Sequence, residues 1–356
     1  MAFLDKLKAI GGGEEPIEAA GPAAPPGQPP TKRSIYQSRF NFGVNLGSMF
    51  LQEKFIFHRF FIDDTSTELD GISACVKKNG ADQTRQELEE HWRGFVSDDE
   101  WEWLKSKGVT SVRVPVGYWH VNGGAFTNGT PFAKVADVYK NAWNILKEVI
   151  HKAEQHGIAV LVDLHALPGG ANTAEHSGVQ LKKAAFWGES KNEKLALSVL
   201  EFIAEDLKTL DNIVGLQIVN ESEFSNDASA QRKYYSRAIK RIRKIDSTIP
   251  VVISDGWWPN QWVQWVTAKE SRIDGHSIGV VIDAHIYRCF SDTDKCKSPE
   301  QIINDLEGDI LTNLSGQADI IVGEYSHVPD GSSWYKAQHD SGGPVLMYGI
   351  TLIILT

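Results

Sequence analysis

A regular alternation of short apolar runs and longer amphipathic stretches constrains the fold of this chain more than any other feature. One run, Ile213–Asn220, is almost continuously apolar and β-branched, which is typical of a strand buried on both faces of a parallel sheet. Seven such runs alternate with segments of helical periodicity, and this order predicts repeated βα units. The predicted strands are Phe40–Leu46, Val109–Val116, Ile158–Leu164, Ile213–Asn220, Val251–Ser254, Val280–His285 and Ile320–Glu324.

This alternation predicts an α/β fold in which the sheet closes into a (β/α)8 TIM barrel rather than a doubly wound open sheet. No GxGxxG follows the first strand and no GxxxxGK[ST] occurs, so nucleotide-binding folds are disfavoured. A polar loop is predicted over Asp63–Gln83, followed by a capping box at Thr84 and Glu87. The predicted helices are Thr84–Trp92, Asp98–Lys107, Val135–His156, Asn192–Leu210, Ala228–Ile245, Gln261–Val266 and Pro299–Leu314.

The two ends of the chain differ from this regular middle. Residues 1–33 are predicted to be a disordered segment, because Gly11–Pro30 is rich in Gly, Pro and Ala and cannot form a core. Residues 34–356 are predicted to form one folded domain. Beyond the seventh strand, only Val345–Leu355 is apolar enough for an eighth strand, and Gly349 interrupts it. We therefore expect a truncated or atypical eighth strand and helix.

Charge and targeting signals limit the possible partners. The formal net charge of −10 disfavours nucleic acids and anionic membranes, because both require a basic surface. Met1–Ile10 has neither the apolar core nor the cleavage site of a secretory signal, so we expect a cytoplasmic protein. We also expect a monomer.

Polar residues occur where the predicted strands end, and a parallel barrel carries its active site at those carboxyl ends. Glu221 ends the fourth strand and Glu324 the seventh, and two glutamates at one barrel mouth suit glycoside hydrolysis. Unequal surroundings can keep one carboxyl protonated and the other ionised, and Arg113 is expected to favour the ionised one. No HExxH or clustered His/Cys spacing occurs, so neither a metal site nor a cofactor is expected. The other polar strand ends include Asn45, Asp163, His165, Asn220, Asp255, His285 and Tyr287.

These residues lie in motifs that resemble the retaining β-glycosidases of glycoside hydrolase family 5, most closely the fungal exo-β-1,3-glucanase branch. The motifs, in order, are GVNLG at Gly43, HW at His91, VRVPVGYW at Val112, DLHALPG at Asp163, VNES at Val219, DAHIY at Asp283 and VGEYS at Val322. The resemblance implies that residues 34–356 are the catalytic domain, with Glu221 as acid/base and Glu324 as nucleophile. It also implies that Glu53 binds a terminal glucose and that Phe290 is half of an aromatic clamp. The implied shell around the cleaved sugar is Arg113, His165, Asn220, His285 and Tyr287.

Three departures from the family pattern bear on the substrate. The other half of the clamp falls at Ala174, Met49 stands where that branch usually has Trp, and the final apolar run, Leu346–Thr356, lacks the Trp of the family's eighth strand. We predict a retaining hydrolase of β-glucosidic bonds, exo-acting on β-1,3-glucan or oligosaccharides, with its two carboxyl groups about 5 Å apart. The alternatives are a β-glucosidase or diglycosidase acting on small aryl or flavonoid glycosides, and an inactive carbohydrate-binding barrel.

Overall fold

Seven parallel strands form one sheet in the computed structural model, which describes residues 27–269, 279–288, 290–305 and 318–326. The strands are β1 Gly43–Asn45, β2 Ser111–Gly117, β3 Ala159–Ala166, β4 Ile213–Gln217, β5 Val251–Ser254, β6 Val280–Tyr287 and β7 Asp319–Ser326. They pair in chain order from β1 to β7, so each strand lies beside the next one along the chain. The sheet curves into a nearly closed barrel with helices between its strands, which confirms the predicted fold class.

The helices occupy the intervals between the strands, as the alternation predicts. The helix Ala142–Gln155 shows why, because its buried positions recur at helical spacing along one face. Shorter 3-10 segments cover Val121–Thr127, Pro131–Tyr139 and Glu175–Ser177. The helices are α1 Lys32–Ser38, α2 Glu68–Asn79, α3 Ala81–Gly94, α4 Asp98–Ser106, α5 Ala142–Gln155, α6 Ser190–Leu207, α7 Ser229–Ile245, α8 Pro259–Lys269, α9 Asp292–Lys295 and α10 Pro299–Asp305.

The segment that follows β1 differs from its prediction. The loop predicted over Asp63–Gln83 is wrong, because α2 occupies Glu68–Asn79. Its buried positions have helical spacing but lack the uniform apolar character that identifies a helix in a sequence. The buried residues of this face are Glu68, Gly71, Ile72 and Cys75.

The predicted start of the next helix is also wrong. Helix α3 begins at Ala81, and the Thr84 hydroxyl lies inside it, donating to the main-chain oxygen of Gly80 at 2.8 Å. The capping box of this region instead opens α4. There Glu100 accepts from the Ser97 N–H at 2.7 Å, and Ser97 Oγ accepts from the Glu100 N–H at 3.3 Å.

Helix α1 covers the amino-terminal end of the barrel. Tyr36 packs there in a buried cluster with side chains from β3 to β7. Arg33 fixes the helix, since its Nη1 donates to the main-chain oxygens of Lys208 and Leu210 at 2.9 and 2.8 Å. The predicted boundary between residues 33 and 34 therefore falls inside α1, and residues 1–26 lie outside the described ranges. The strand residues of the cluster are Ala159, Leu161, Val214, Val252, Val281 and Ile321.

Strands β1 and β7 approach each other at the carboxyl end of the barrel. Asn45 Nδ2 donates to the main-chain oxygen of Gly323 at 2.9 Å, so a side chain links these two strands. The candidate for an eighth strand, Val345–Leu355, lies outside the described residues. Among the helices that the structure describes, none combines the length and the apolar character needed to cross a membrane.

Candidate active site

Two carboxyl groups meet at the carboxyl end of the barrel. Glu324 lies within β7, and Glu221 lies four residues beyond the end of β4. The chain reaches Glu221 alongside β5, since the N–H of Ser222 donates to Ser254 Oγ at 3.0 Å. An oxygen of Glu221 lies within 4.8 Å of an oxygen of Glu324. This agrees with the separation of about 5 Å expected of a retaining pair.

Glu324 lies between a guanidinium and a phenol. Arg113 Nη1 donates to its Oε1 at 2.9 Å, and the Tyr287 hydroxyl donates to its Oε2. Burial opposes the charge of this carboxyl, but His285 and Arg113 outweigh burial and hold the pKa of Glu324 below its ordinary value. Glu324 is therefore ionised, and Arg113 contacts it as the sequence predicts.

Arg113 connects the polar ends of several strands. Its side chain is fully buried, with Nε donating to Gln217 at 2.9 Å and Nη1 donating to Asn45 at 3.2 Å. Its Nη2 donates to Asn220 Oδ1 at 2.7 Å and pairs with Asp163 at 2.9 Å. Because a buried guanidinium must satisfy its donors, this network fixes the position of Arg113 against Glu324.

Two Asp-x-His pairs orient the site histidines. Residues two apart point to the same face of a strand, so Asp163 lies beside His165 in β3 and Asp283 beside His285 in β6. Asp163 Oδ2 is 2.6 Å from His165 Nδ1, and Asp283 Oδ2 is 3.0 Å from His285 Nε2. His165 Nε2 accepts from Asn220 Nδ2 at 3.0 Å, since the other end of that amide already accepts from the guanidinium. His165 is thereby held in one tautomer, with its proton on Nδ1, and the ring of His285 is held in one orientation.

His285 faces carboxylates with both ring nitrogens. Its Nδ1 lies 2.9 Å from Glu221 Oε1 and 3.5 Å from Glu324 Oε2, while Nε2 faces Asp283. Burial disfavours the imidazolium, but the charges of Glu324 and Asp283 raise the pKa of His285 well above its ordinary value. His285 is therefore a cation between the two catalytic candidates.

Glu221 is surrounded by two histidines. His176 Nε2 lies 3.0 Å from its Oε2, and His285 Nδ1 is bonded to its Oε1. Its φ of 39° is unusual for a residue with a side chain, and Asn172 Nδ2 donates to its main-chain oxygen at 2.7 Å. Burial opposes its charge, but the two histidines lower the pKa of Glu221. The expectation that one of the two carboxyls stays protonated is therefore not met, because cations rather than an apolar wall surround Glu221.

Glu53 lies in a tight turn after β1. The Ser48 hydroxyl accepts from the Glu53 N–H at 2.9 Å, and His91 Nε2 lies 2.8 Å from the main-chain oxygen of Ser48. Burial raises the pKa of Glu53, while His165 and His176 act in the opposite direction. Glu53 thus faces the same site as the catalytic pair.

Exposed aromatic side chains line the mouth of the site. Phe290, the predicted clamp residue, is 72% exposed, and its ring centre lies 5.6 Å from that of Tyr287. Trp257 follows β5, is half exposed and lies 6.3 Å from the His285 ring. Ala174 is exposed where the second clamp residue is expected. The mouth therefore has exposed aromatic residues, and the position predicted for the second clamp residue holds a small side chain.

The structure brings the predicted polar site residues together, and it adds supports that the sequence predictions omit. Asp283 and Gln217 hold His285 and Arg113, and His176 and Asn172 hold Glu221. The repeated Asp-x-His pattern of β3 and β6 is a sequence signal for Asp283. His176 lies in a loop without periodicity, so no pattern indicates it.

Glu221, His285 and Glu324 also form the one group of potential metal ligands found among the described residues. Two carboxylates and an imidazole can bind a divalent cation. In the arrangement observed, His285 Nδ1 is instead bonded to Glu221, and Arg113 and the His285 imidazolium balance the carboxylate charges. The group is therefore arranged for proton transfer.

Comparison with known proteins identifies the family. The family described as Cellulase (glycosyl hydrolase family 5) matches residues 76–342. An uncharacterised glycosyl hydrolase of Saccharomyces cerevisiae is 40% identical over 349 residues, which cover 94% of this chain and 68% of the relative. Glucan 1,3-beta-glucosidase 3 of Schizosaccharomyces pombe is 32% identical over 312 residues, which cover 87% of this chain and 65% of the relative. The chain thus spans about two thirds of the length of these relatives.

A solved structure shares the fold at lower sequence similarity. The rutinosidase from Aspergillus niger superposes with a TM-score of 0.67 at 18% identity, covering 86% of each chain. This structure shows the fold alone, whereas the family match over residues 76–342 and the relative at 40% identity assign the chain. It belongs to glycosyl hydrolase family 5.

Proposed function

We propose that this protein is a retaining β-glycosidase in which Glu324 is the nucleophile and Glu221 is the acid and base. The observation that carries the proposal is the pair of carboxyl groups with oxygens within 4.8 Å of each other, in unequal surroundings. A retaining pair stands about 5–5.5 Å apart, whereas an inverting pair leaves room for water at about 6.5–9.5 Å. The family assignment supports the same chemistry.

The roles follow from the neighbours of each carboxyl. Glu324 is ionised beside Arg113 and Tyr287, so it can attack the anomeric carbon while Glu221 protonates the leaving oxygen. Water then attacks the glycosyl ester, Glu221 accepts a proton from that water, and the bond to Glu324 breaks. The fixed donors of Arg113 and Tyr287 hold the carboxylate in place for both steps.

The proposed substrate is a β-1,3-glucan or oligosaccharide, from which the enzyme releases a terminal glucose. The relative in Schizosaccharomyces pombe is named a glucan 1,3-beta-glucosidase. Glu53 supports exo action, because its carboxyl group lies close enough to His165, His176 and the proposed catalytic pair for their charges to affect its pKa. A carboxyl group in that position can hydrogen bond to the hydroxyls of a terminal sugar.

A small glycoside with an apolar aglycone is the second candidate substrate. The observation that favours it is the exposed Ala174, a small side chain where the second half of the aromatic clamp is expected, while Phe290 keeps the first half. Phe224 and Trp258 add exposed aromatic surface, with ring centres 6.2 Å apart. A planar aglycone could stack on this surface.

A substrate panel on the purified protein tests the proposal. We expect turnover of 4-nitrophenyl β-glucoside, with the β-anomer of glucose formed first, and no turnover by Glu324→Gln. Release of glucose alone from laminarin oligomers would support the glucan, whereas a preference for flavonoid glucosides would support the second candidate. Absence of turnover on every β-glycoside would contradict the proposal and favour an inactive binding barrel.

A further inference from the structure

The loop between β3 and α6 places an unassigned histidine against Glu221. His176 lies in the 3-10 segment Glu175–Ser177, and its Nε2 is 3.0 Å from Glu221 Oε2. The imidazole is buried, with its ring centre 4.8 Å from that of His165. His176 is therefore placed to act on the carboxyl that we assign as acid and base.

Asn172 restricts where the proton between these two groups can lie. Its Oδ1 accepts from the Ala174 N–H at 2.8 Å, so its Nδ2 is the donor end of the amide. That Nδ2 donates to the main-chain oxygen of Glu221 and also lies 3.2 Å from His176 Nε2. A second N–H of Asn172 therefore faces Nε2, and it can donate there only when Nε2 carries no proton.

Two protonation states fit the contact between His176 and Glu221, and only the second also lets Asn172 donate to Nε2. In the first, His176 Nε2–H donates to the Glu221 carboxylate. In the second, Nε2 accepts from a protonated Glu221 and from Asn172. Both states hold the shared proton, and Glu221 can deliver it as the acid that the first half-reaction needs. Once that proton has left, Nε2 accepts from Asn172 and the Glu221 carboxylate is the base that the second half-reaction needs.

We propose that His176 is a positioning residue that shares one proton with Glu221 and so lets this carboxyl alternate between acid and base. The inference rests on the proposed function. In the first half-reaction the shared proton passes through Glu221 to the leaving oxygen as the glycosidic C–O bond breaks and the bond from carbon to Glu324 forms. In the second, a proton of the attacking water returns to the pair as the bond to Glu324 breaks, so no proton is gained or lost over the cycle.

The charges around the pair indicate which member holds the proton at rest. Burial disfavours the imidazolium, but the hydrogen bond to Glu221 and the charge of that carboxylate raise the pKa of His176. Because the two groups are coupled, the loss of the shared proton is a property of the pair, at a pH above the ordinary histidine range. The other titratable groups that face the pair are Glu53, His165, Asp255, His285, Tyr287 and Glu324.

The test is the pH dependence of kcat/KM in His176→Asn. The wild type should lose activity on the basic side only when the pair loses its shared proton. In the variant, this basic limb of the pH profile should move to lower pH by at least one unit. The reason is that a carboxyl group without the histidine loses its proton at a lower pH. The shift should appear with phenyl β-glucoside and be absent with 2,4-dinitrophenyl β-glucoside, whose leaving group needs no proton. His151→Asn, which changes an exposed histidine of α5, should keep the wild-type profile.

The outcomes separate this inference from the proposed function. A wild type without β-glucosidase activity contradicts the function itself, whereas an active His176→Asn with an unmoved basic limb contradicts only the inference. Histidine NMR gives a readout that does not need turnover. The His176 imidazole should titrate above the ordinary range in the wild type and move at least one pH unit lower in Glu221→Gln. An unchanged midpoint in that variant would overturn the shared proton even if His176→Asn failed to fold.

Discussion

Glu221 and Glu324 have the same side chain, and the different roles that we propose for them follow from their contacts. Glu324 receives its hydrogen bonds from Arg113 and Tyr287, which cannot accept a proton at neutral pH. Glu221 is bonded to His176 and His285, which can exchange protons with it. This difference supports the proposed assignment of Glu324 as nucleophile and Glu221 as acid.

Glu221→Ala should therefore have an effect that depends on the leaving group. We expect kcat/KM to fall about 10²–10⁴-fold for phenyl β-glucoside and much less for 2,4-dinitrophenyl β-glucoside, since only the former needs a proton. Added azide should restore part of the activity and yield a β-glucosyl azide. Steady-state rates and product NMR measure both effects, and equal losses on the two substrates would rule out Glu221 as the acid.

Gly323 is needed beside the nucleophile because Asp283 approaches it closely. The Gly323 N–H donates to Asp283 Oδ1 at 2.7 Å, and a Cβ at this position would lie 2.0 Å from that oxygen. Gly323→Ala should destabilise the protein by about 1–3 kcal/mol and lower kcat, because Asp283 orients His285. The control is Gly94→Ala, where a Cβ meets no atom within 4 Å. Urea unfolding measures both, and equal stability of the two variants would contradict the contact.

At the scale of elements, periodicity predicts the described strands to within a few residues, while the predictions fail where buried faces are not apolar. Helix α2 is the main case, since Glu68 and Gly71 occupy its inward face. Glu68 is buried because Trp119 and Tyr139 donate to its Oε1 at 2.9 and 2.7 Å. Gly71 is required because a Cβ would lie 2.5 Å from the main-chain oxygen of Phe60. Both reasons are tertiary contacts, so a single sequence does not show them.

Helix α1 should stabilise the barrel without taking part in the chemistry. Tyr36 is 6% exposed in the cluster at the amino-terminal end, far along the strands from Glu221 and Glu324. Tyr36→Ala should lower the free energy of unfolding by about 3 kcal/mol and leave kcat/KM at 20 °C within about twofold. Ile35→Ala changes a residue of the same helix that is 51% exposed and should be nearly neutral. Equal unfolding midpoints for the two variants would contradict this role of α1.

At the scale of the whole molecule, the alternating pattern was sufficient to predict the barrel, and the strand ends were sufficient to locate the carboxyl pair. The protonation of that pair could not be predicted, because it depends on His176 from a loop and on Asp283 behind His285. The eighth strand lies outside the described residues, and the monomeric state and cytoplasmic location stay predictions.

The pH dependence of folding stability offers a test of the buried polar end of the barrel. Burial raises the pKa of Asp255 to about 7, so the folded protein binds this proton more tightly than the unfolded chain, where Asp titrates near 3.9. The contribution of Asp255 to the free energy of unfolding is therefore fully present below about pH 4. It is lost as the pH rises from there through about 7. Asp255→Asn removes the titration and can keep the acceptor for the Trp257 N–H at 2.9 Å.

The free energy of unfolding of Asp255→Asn minus that of the wild type should rise by about 2–4 kcal/mol between pH 4 and pH 8. Urea unfolding at both pH values measures this gain. Asp292→Asn, which alters an exposed carboxyl of α9, should show none. A pH-independent difference between Asp255→Asn and the wild type would contradict the raised pKa.

The most direct test of the central claim is to trap the covalent intermediate. A 2-deoxy-2-fluoro-β-glucoside with a dinitrophenyl leaving group slows both half-reactions but leaves the first one possible, so the glycosyl-enzyme accumulates. Intact mass spectrometry should show one glycosyl adduct, and peptide mapping should place it on Glu324. An adduct on any other residue, or release of dinitrophenol with inversion and no adduct, would contradict the assignment of Glu324 as nucleophile.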